Sequence, residues 1–275
     1  MLQLANNYNP QKEYPTSSWL VSPKLDGVRC VYKPDEGLFS RSGKTKYLGF
    51  NAIESFCDFI CRDKRLLFVD GELYIPGEPF DVISGIARKS KNFDPVQKAR
   101  VEFRVFAIVF ADRSQEPTAN VMVDLIESYI PSGNRAIAVI QRSIPNNPLS
   151  IQQELDATRT SGQSQEGIML RNPNSIYAPG RSDSLLKVKN FTRSTLVCTG
   201  YTRGTGKFAG MLGAINVELA SDRRVTGRLG TGLTDSERRD IWQNQIDYLG
   251  RSLEGIHLGI TPGGKLRHPV FVGFI

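Results

Sequence analysis

The stretch "WLVSPKLDGVRCVY", Trp19 to Tyr32, decides how the first part of the chain is read. Trp19–Val21 and Val28–Tyr32 are rich in β-branched and aromatic residues, the composition of strands. Asp26-Gly27 between them is a hairpin turn signal. The spacing predicts an antiparallel pair with Lys24 at its mouth and Arg29 opening the return strand. Outward from there, strand-like runs dominate: "LFVDGELYI", "FRVFAIVF", "AIAVIQ", "GIML", "SLLKVK" and "AINVEL". Helices are fewer. "TANVMVDLIESYI" puts Met122, Leu125, Ile126, Tyr129 and Ile130 on one face. "SIQQELDATR" opens with a Ser150-x-x-Gln153 capping box, and "TDSERRDIWQNQIDYL" with Thr234-x-x-Glu237.

After Lys189 the texture changes to short strands, many glycines and one clear helix. The expectation is an α+β chain. A domain of antiparallel sheets with helices covers residues 1–190, and a small β-barrel follows over 191–275. The hinge falls in "NFTRST". "GTGKFAG" (204–210) fails as a P-loop, because Phe208 stands where a Ser or Thr is needed, and reads as a glycine-rich hairpin.

The 275 residues carry a net charge of +7, which suits a polyanionic partner. Arg171, Arg181, Lys187, Lys189, Arg193, Arg203 and Lys207 face only Asp183 in their window, either as a solvated face or as a phosphate-binding one. Cys57 and Cys61, spaced i, i+4 among Phe56, Phe59 and Ile60, read as packed core thiols rather than a metal pair. With four cysteines, no leader-like N-terminus and no apolar run of membrane-spanning length, a reducing, cytoplasmic setting is expected, with no membrane contact.

The residues that carry chemistry fall in order along the chain. Lys24-x-Asp26-Gly27-x-Arg29 comes first. "VDGEL" puts Glu72 just past a second Asp-Gly turn, and "EGIMLR" puts Glu166 ahead of a strand. In "LLKVK", Lys187 and Lys189 are i, i+2 and point to one face, Leu186 and Val188 to the other. Two lysines on one face do not help a core, although a solvent-facing strand would look the same in isolation. Together the set reads as a nucleotidyl-transfer site. Lys24 is the candidate nucleophile, with its amine kept neutral by neighbouring cations such as Arg29. Lys187 and Lys189 are candidates to cancel phosphate charge, Glu166 to hold Mg²⁺ or Mn²⁺, and Glu72 to accept from a ribose hydroxyl. Phe106 alone reads as a core aromatic; in this set it is a candidate to stack on a base.

On these motifs the chain resembles the ATP-dependent DNA ligases of the covalent nucleotidyltransferase superfamily. It looks most like the minimal bacterial and viral ones, with an ATP-grasp-like nucleotidyltransferase domain and an OB-fold domain. The resemblance implies AMP attachment at Lys24 in "KLDGVR", with ATP and Mg²⁺ as cofactors. It implies ribose binding at Glu72, adenine stacking at Phe106, metal association at Glu166 and phosphate binding at Lys187 and Lys189. "SRSG" matches the block whose arginine contacts the 5′-phosphate of a nick, which falls on Arg41. Nicked duplex DNA is the implied partner, encircled by a monomer. Arg171, Arg193, Arg203, Lys207 and Arg267 are the further candidate DNA contacts. Two departures stand out: Ala107 follows Phe106 where many relatives have aspartate, and only Arg267-x-Pro269 stands in for the final motif of larger ligases. The alternatives are an RNA ligase or an mRNA-capping guanylyltransferase with the same Lys-x-Asp-Gly nucleophile, or a non-catalytic nucleic-acid-binding module.

Overall fold

The computed structural model describes residues 2–131, 133–160 and 165–275. Two compact units divide the chain, residues 1–189 and 190–275. The first begins with β1 (Gln3–Asn7), β2 (Ser18–Leu25), β3 (Val28–Lys33), β4 (Gly37–Ser40), β5 (Lys46–Tyr47) and α1 (Asn51–Lys64). It continues with β6 (Leu66–Tyr74), α2 (Phe80–Arg88), α3 (Pro95–Arg100), β7 (Glu102–Phe110) and α4 (Ala119–Tyr129). It closes with β8 (Ala136–Ala138), β9 (Arg142–Pro145), α5 (Pro148–Thr160), β10 (Gln165–Arg171) and β11 (Gly180–Lys189).

These strands form two sheets, ordered β1-β11-β10-β2-β9 and β5-β4-β3-β6-β7-β8. Only β1–β11 and β7–β8 pair in parallel. The first sheet buries Trp19, Val21, Ile168, Leu170 and Leu186 with Ile151 and Leu155 of α5. The second packs on α1, α2 and α4 through Ile53, Cys57, Ile60, Ile83, Met122 and Ile126. Cys57 and Cys61 lie in that core, as their spacing predicts.

Three local expectations are corrected. β2 and β3 are not a hairpin: they belong to different sheets, and Asp26-Gly27 is the crossing point between them. A Cβ on Gly27 would lie 2.5 Å from the Leu73 carbonyl oxygen and 2.7 Å from Glu72 Cγ, so glycine serves close backbone passage rather than a tight turn. Asp70-Gly71 is not a turn either; both residues sit inside β6, at a register shift against β7. Helix α5 starts two residues before the expected Ser150 cap. Pro148 opens it, and Asn147 Oδ1 accepts from the Ser150 amide at 2.8 Å.

The second unit contains β12 (Thr192–Arg203), β13 (Leu212–Leu219), β14 (Asp222–Leu229), α6 (Asp235–Gln243), α7 (Gln245–Tyr248), β15 (Ser252–His257) and β16 (Val270–Phe274). The order β14-β13-β12-β15-β16, with α6 between the third and fourth strands, is that of an OB-fold. Its core is Leu196, Leu212, Ile215, Val217, Leu229 and Leu253, sealed by Ile241 of α6. The Thr234–Glu237 capping box forms as read: Thr234 Oγ1 accepts from the Glu237 amide at 3.2 Å, and Glu237 accepts from the Thr234 amide at 2.7 Å. "GTGKFAG" lies in the β12–β13 connection, the hairpin its glycines predict. Among the described residues no helix is long and apolar enough to cross a membrane.

Candidate active site

A cavity of about 250 Å³ opens in the first unit, lined by both sheets. The first sheet contributes Ser22, Lys24, Met169, Arg171, Leu185 and Lys187, and the second Arg29, Glu72 and Phe106, with Arg41 and Arg181 also on the wall. Strand register explains which side chains meet. Lys24, Gly167 and Lys189 share one row across β2, β10 and β11; Ser22, Met169 and Lys187 share the next; Leu20, Arg171 and Leu185 the third. Rows of one face are about 7 Å apart, so the i, i+2 lysines of β11 flank Lys24 at successive levels. Gly167 has φ +142°, and any Cβ there would run into the Val188 carbonyl. That close approach sets the neighbouring Glu166 against the lysines.

The carboxylate of Glu166 bridges two ammonium groups. Oε2 accepts from Lys24 Nζ, and Oε1 lies 3.3 Å from Lys189 Nζ. Burial pushes the Lys24 amine down to about 8, with Lys189 and Lys187 acting the same way against Glu72 and Asp26. Burial likewise pushes Glu72 up to about 8, opposed by Lys24 and Arg29. Lys187 is lowered by burial, then by Lys189, Arg181 and Arg41, so four cations feel one another here. Phe106 is half-buried, packed on the core edge while its ring faces the Arg29 guanidinium at 5.3 Å. Ala107 is fully buried, a core position in which an aspartate would need a partner.

Beneath the cavity runs a polar relay that the sequence did not announce. Arg29 grips Asp70 with two bonds, Nε to Oδ1 at 3.1 Å and Nη2 to Oδ2 at 2.6 Å. Tyr177 donates to Asp70 Oδ2 at 2.7 Å, and the Gln3 amide donates to the Tyr177 hydroxyl at 3.0 Å. Gln3 Oε1 in turn accepts from Arg171 at 3.0 Å. Asp70 lay in view within "VDGEL"; Gln3 and Tyr177 carried no local signal, because only the β1–β11 pairing brings them in.

The expected DNA contacts divide. Arg41 is exposed on the cavity wall. Arg171 is 7% exposed and lines the same cavity, its guanidinium bonded to Gln3 Oε1, rather than standing on an open surface like Arg41. Arg193, Arg203, Lys207 and Arg267 all lie on the second unit. Arg193 is ion-paired with Glu254 and sits at the opposite end of β12 from Arg203. Lys207 is exposed in the 204–211 turn, and Arg267 is half-buried between β15 and β16 with its amide on the Gly259 carbonyl at 2.9 Å.

The donor chemistry fits a hard divalent cation: Glu72 lines the cavity, and Glu166 presents its carboxylate oxygens to Lys24, which lines it too. A lysine-centred, cation-lined cavity between two sheets, followed by an OB-like unit, defines the covalent nucleotidyltransferase class. Comparison with known proteins narrows this. The family model "ATP dependent DNA ligase domain" matches residues 3–189, and the "DNA ligase OB-like domain" model matches 203–274. The chain belongs to the ATP-dependent DNA ligase family. The DNA ligase of Haemophilus influenzae is 26% identical over 271 residues, 98% of this chain and 90% of that protein. The DNA ligase of African swine fever virus is 30% identical over 199 residues, 67% of this chain but 45% of the viral enzyme. A solved Lig E DNA ligase, studied for DNA binding with a minimal scaffold, superposes with a TM-score of 0.77 at 26% identity, covering 100% of this chain and 98% of that one. The Chlorella virus DNA ligase-adenylate shares the fold, with a TM-score of 0.53 at 23% identity over 100% of this chain and 98% of that one. These relatives are DNA ligases, not RNA ligases or capping guanylyltransferases, and ATP use follows from the family.

Proposed function

We propose that this chain seals nicks in duplex DNA through an AMP carried on Lys24. The observation that carries the reading is the placement of Lys24 Nζ, half-buried at the cavity, bonded to Glu166 and flanked by Lys187 and Lys189. Burial lowers the amine toward its neutral, nucleophilic form. The Nζ lone pair attacks the α-phosphorus of ATP, the bond to the β-phosphate oxygen breaks, and pyrophosphate departs with the electron pair. Lys187 and Lys189 offset charge on the phosphoryl oxygens. Glu166 would hold Mg²⁺, with Glu72 the second carboxylate in reach; the ion supplies charge neutralisation on the phosphates when bound. Phe106, Met169 and Leu185 suit a purine, Glu72 a ribose hydroxyl, and Arg29, braced by Asp70, stays aimed at the nucleotide. Arg171 contributes from the inner row of the same wall.

The second step passes AMP to the 5′-phosphate of a nick, held by Arg41, and frees the lysine. In the third, the 3′-hydroxyl attacks that phosphorus and AMP leaves. Arg193, Arg203, Lys207 and Arg267 are the duplex contacts of the second unit, and a monomer enclosing the duplex with both units, acting in the cytoplasm, completes the reading.

Incubation with ATP, Mg²⁺ and a nicked duplex, followed by a denaturing gel, tests it. A full-length ligated strand is expected. Labelling from GTP in place of ATP, or sealing of nicked RNA alone, would replace the reading with a capping or RNA-ligase one.

A further inference from the structure

The second unit contains a buried cation that no step above uses. Arg238 of α6 is 3% exposed, yet among the described residues no carboxylate forms an ion pair with it. Its guanidinium instead gathers backbone carbonyls. Nη1 donates to Leu212 at 2.9 Å and to Gly213 at 2.8 Å, and Nη2 donates to Gly230 at 2.5 Å. Nε is buried without a partner. For stability alone a leucine or methionine of similar volume would serve better, because a buried charge without a counter-charge is costly.

The geometry around the carbonyls suggests what the charge does. Leu212 and Gly213 open β13 just after the 204–211 turn, and Gly230 follows the end of β14. One guanidinium therefore ties two strand ends to α6 at the root of that turn. Its Cζ also lies 4.1 Å from the centroid of the Phe208 ring. The Lys207 ammonium lies 4.6 Å from the same ring. Phe208 thus carries the order imposed by Arg238 out to Lys207, whose long side chain would otherwise sample many rotamers.

We propose that Arg238 is a positioning residue for the DNA-dependent steps: it holds the 204–211 turn, through its carbonyls and Phe208, so that Lys207 is presented to a DNA phosphate already ordered. This rests on the reading of Arg203 and Lys207 as duplex contacts. Ordering a cation before binding removes part of the entropic cost of association. A lysine at 238 keeps the charge but lacks the planar fork that gathers three carbonyls while lying over Phe208.

The test compares Arg238→Lys and Arg238→Met with the parent as full chains. AMP attachment at Lys24, read by intact mass, is expected to stay within about twofold, while KM for a nicked duplex rises about tenfold with kcat nearly unchanged. The slope of log affinity against log salt should become shallower by about one unit in both variants. Parent-like KM and slope in folded variants would overturn the proposal. Circular dichroism and Trp242 fluorescence report folding of the second unit. If the Arg238 variants unfold, Phe208→Leu keeps the carbonyl clamp and removes the stack; a KM increase of about threefold is expected, and an unchanged KM overturns the proposal. The double variant Arg203→Ala, Lys207→Ala separates the two ideas. An unchanged salt slope there removes these residues from the DNA interface altogether. A shallower slope there, with parent-like Arg238 variants, sinks only the positioning role.

Discussion

At the scale of single residues, the roles proposed for Lys24 and Arg41 fall in different steps and can be tested apart. Lys24 is half-buried in an ion pair with Glu166, while Arg41 is exposed at the wall of the same cavity. Lys24→Ala removes the nucleophile, and Lys24→Arg replaces it with a guanidinium that stays protonated. Both should yield no AMP adduct by intact-mass spectrometry after ATP treatment; an adduct in either would move the nucleophile elsewhere. Arg41→Ala should leave that adduct intact but slow transfer to DNA by about a hundredfold, because the acceptor phosphate loses its in-line grip. Single-turnover sealing by pre-adenylylated protein measures this. Equal rates would remove Arg41 from the nick, and loss of the adduct would place it on ATP. Lys187 senses Arg41 electrostatically, so a small effect on the first step is compatible with its position.

Secondary elements in the first unit are held together by polar groups as well as by apolar faces. Lys98 of α3 is 2% exposed and reaches the Ala87 carbonyl at the end of α2 at 3.1 Å. Its ammonium also lies 4.3 Å from the centroid of Phe50, at the start of α1, and 5.3 Å from that of Phe93. The helix dipole and the two rings favour the cation, yet burial lowers its pKa to about 8. The unfolded chain holds this proton up to a pKa near 10.4, so between about pH 8 and 10 it binds more protons than the folded one, and stability should rise with pH. Lys98→Met should lack that rise. Urea melts of the two proteins at pH 7.5 and 9.5 check it, and parallel pH profiles would show that Lys98 titrates normally. Asn147 and Pro148 at the start of α5 illustrate the other side of local control. The expected cap was Ser150, and the helix starts earlier because Pro148 favours the first helical position.

For the whole molecule, the net charge of +7 includes candidate contacts on both units. Arg171 is buried, and Arg193 and Arg203 mark opposite ends of one strand. Five of the expected contacts, Arg41, Arg193, Arg203, Lys207 and Arg267, remain outside the buried interior. If all five meet phosphates, log affinity for a nicked duplex should fall with log salt at a slope of about −4.5. Fluorescence anisotropy across a salt series measures it. A flat response would exclude an electrostatic clasp, and Arg193→Ala should reduce the slope less than Lys207→Ala, since Arg193 already has Glu254 as a counter-charge.

The sequence by itself determined the reactive groups and the local geometry that presents them. Strand parity puts Lys187 and Lys189 on one face whatever the sheet does, and Thr234 and Glu237 close their capping box within four residues. The motifs around Lys24, Glu72 and Glu166 are local for the same reason: each lies within a few residues of one strand. Tertiary structure alone decided that β2 and β3 part into different sheets, that Arg171 turns inward beside the lysines, and that Gln3 and Tyr177 brace Asp70 across more than one hundred positions of chain. Periodicity states which residues share a face, but not which face lies opposite. That is settled by how whole apolar surfaces are buried against each other, a sum over contacts distant in sequence.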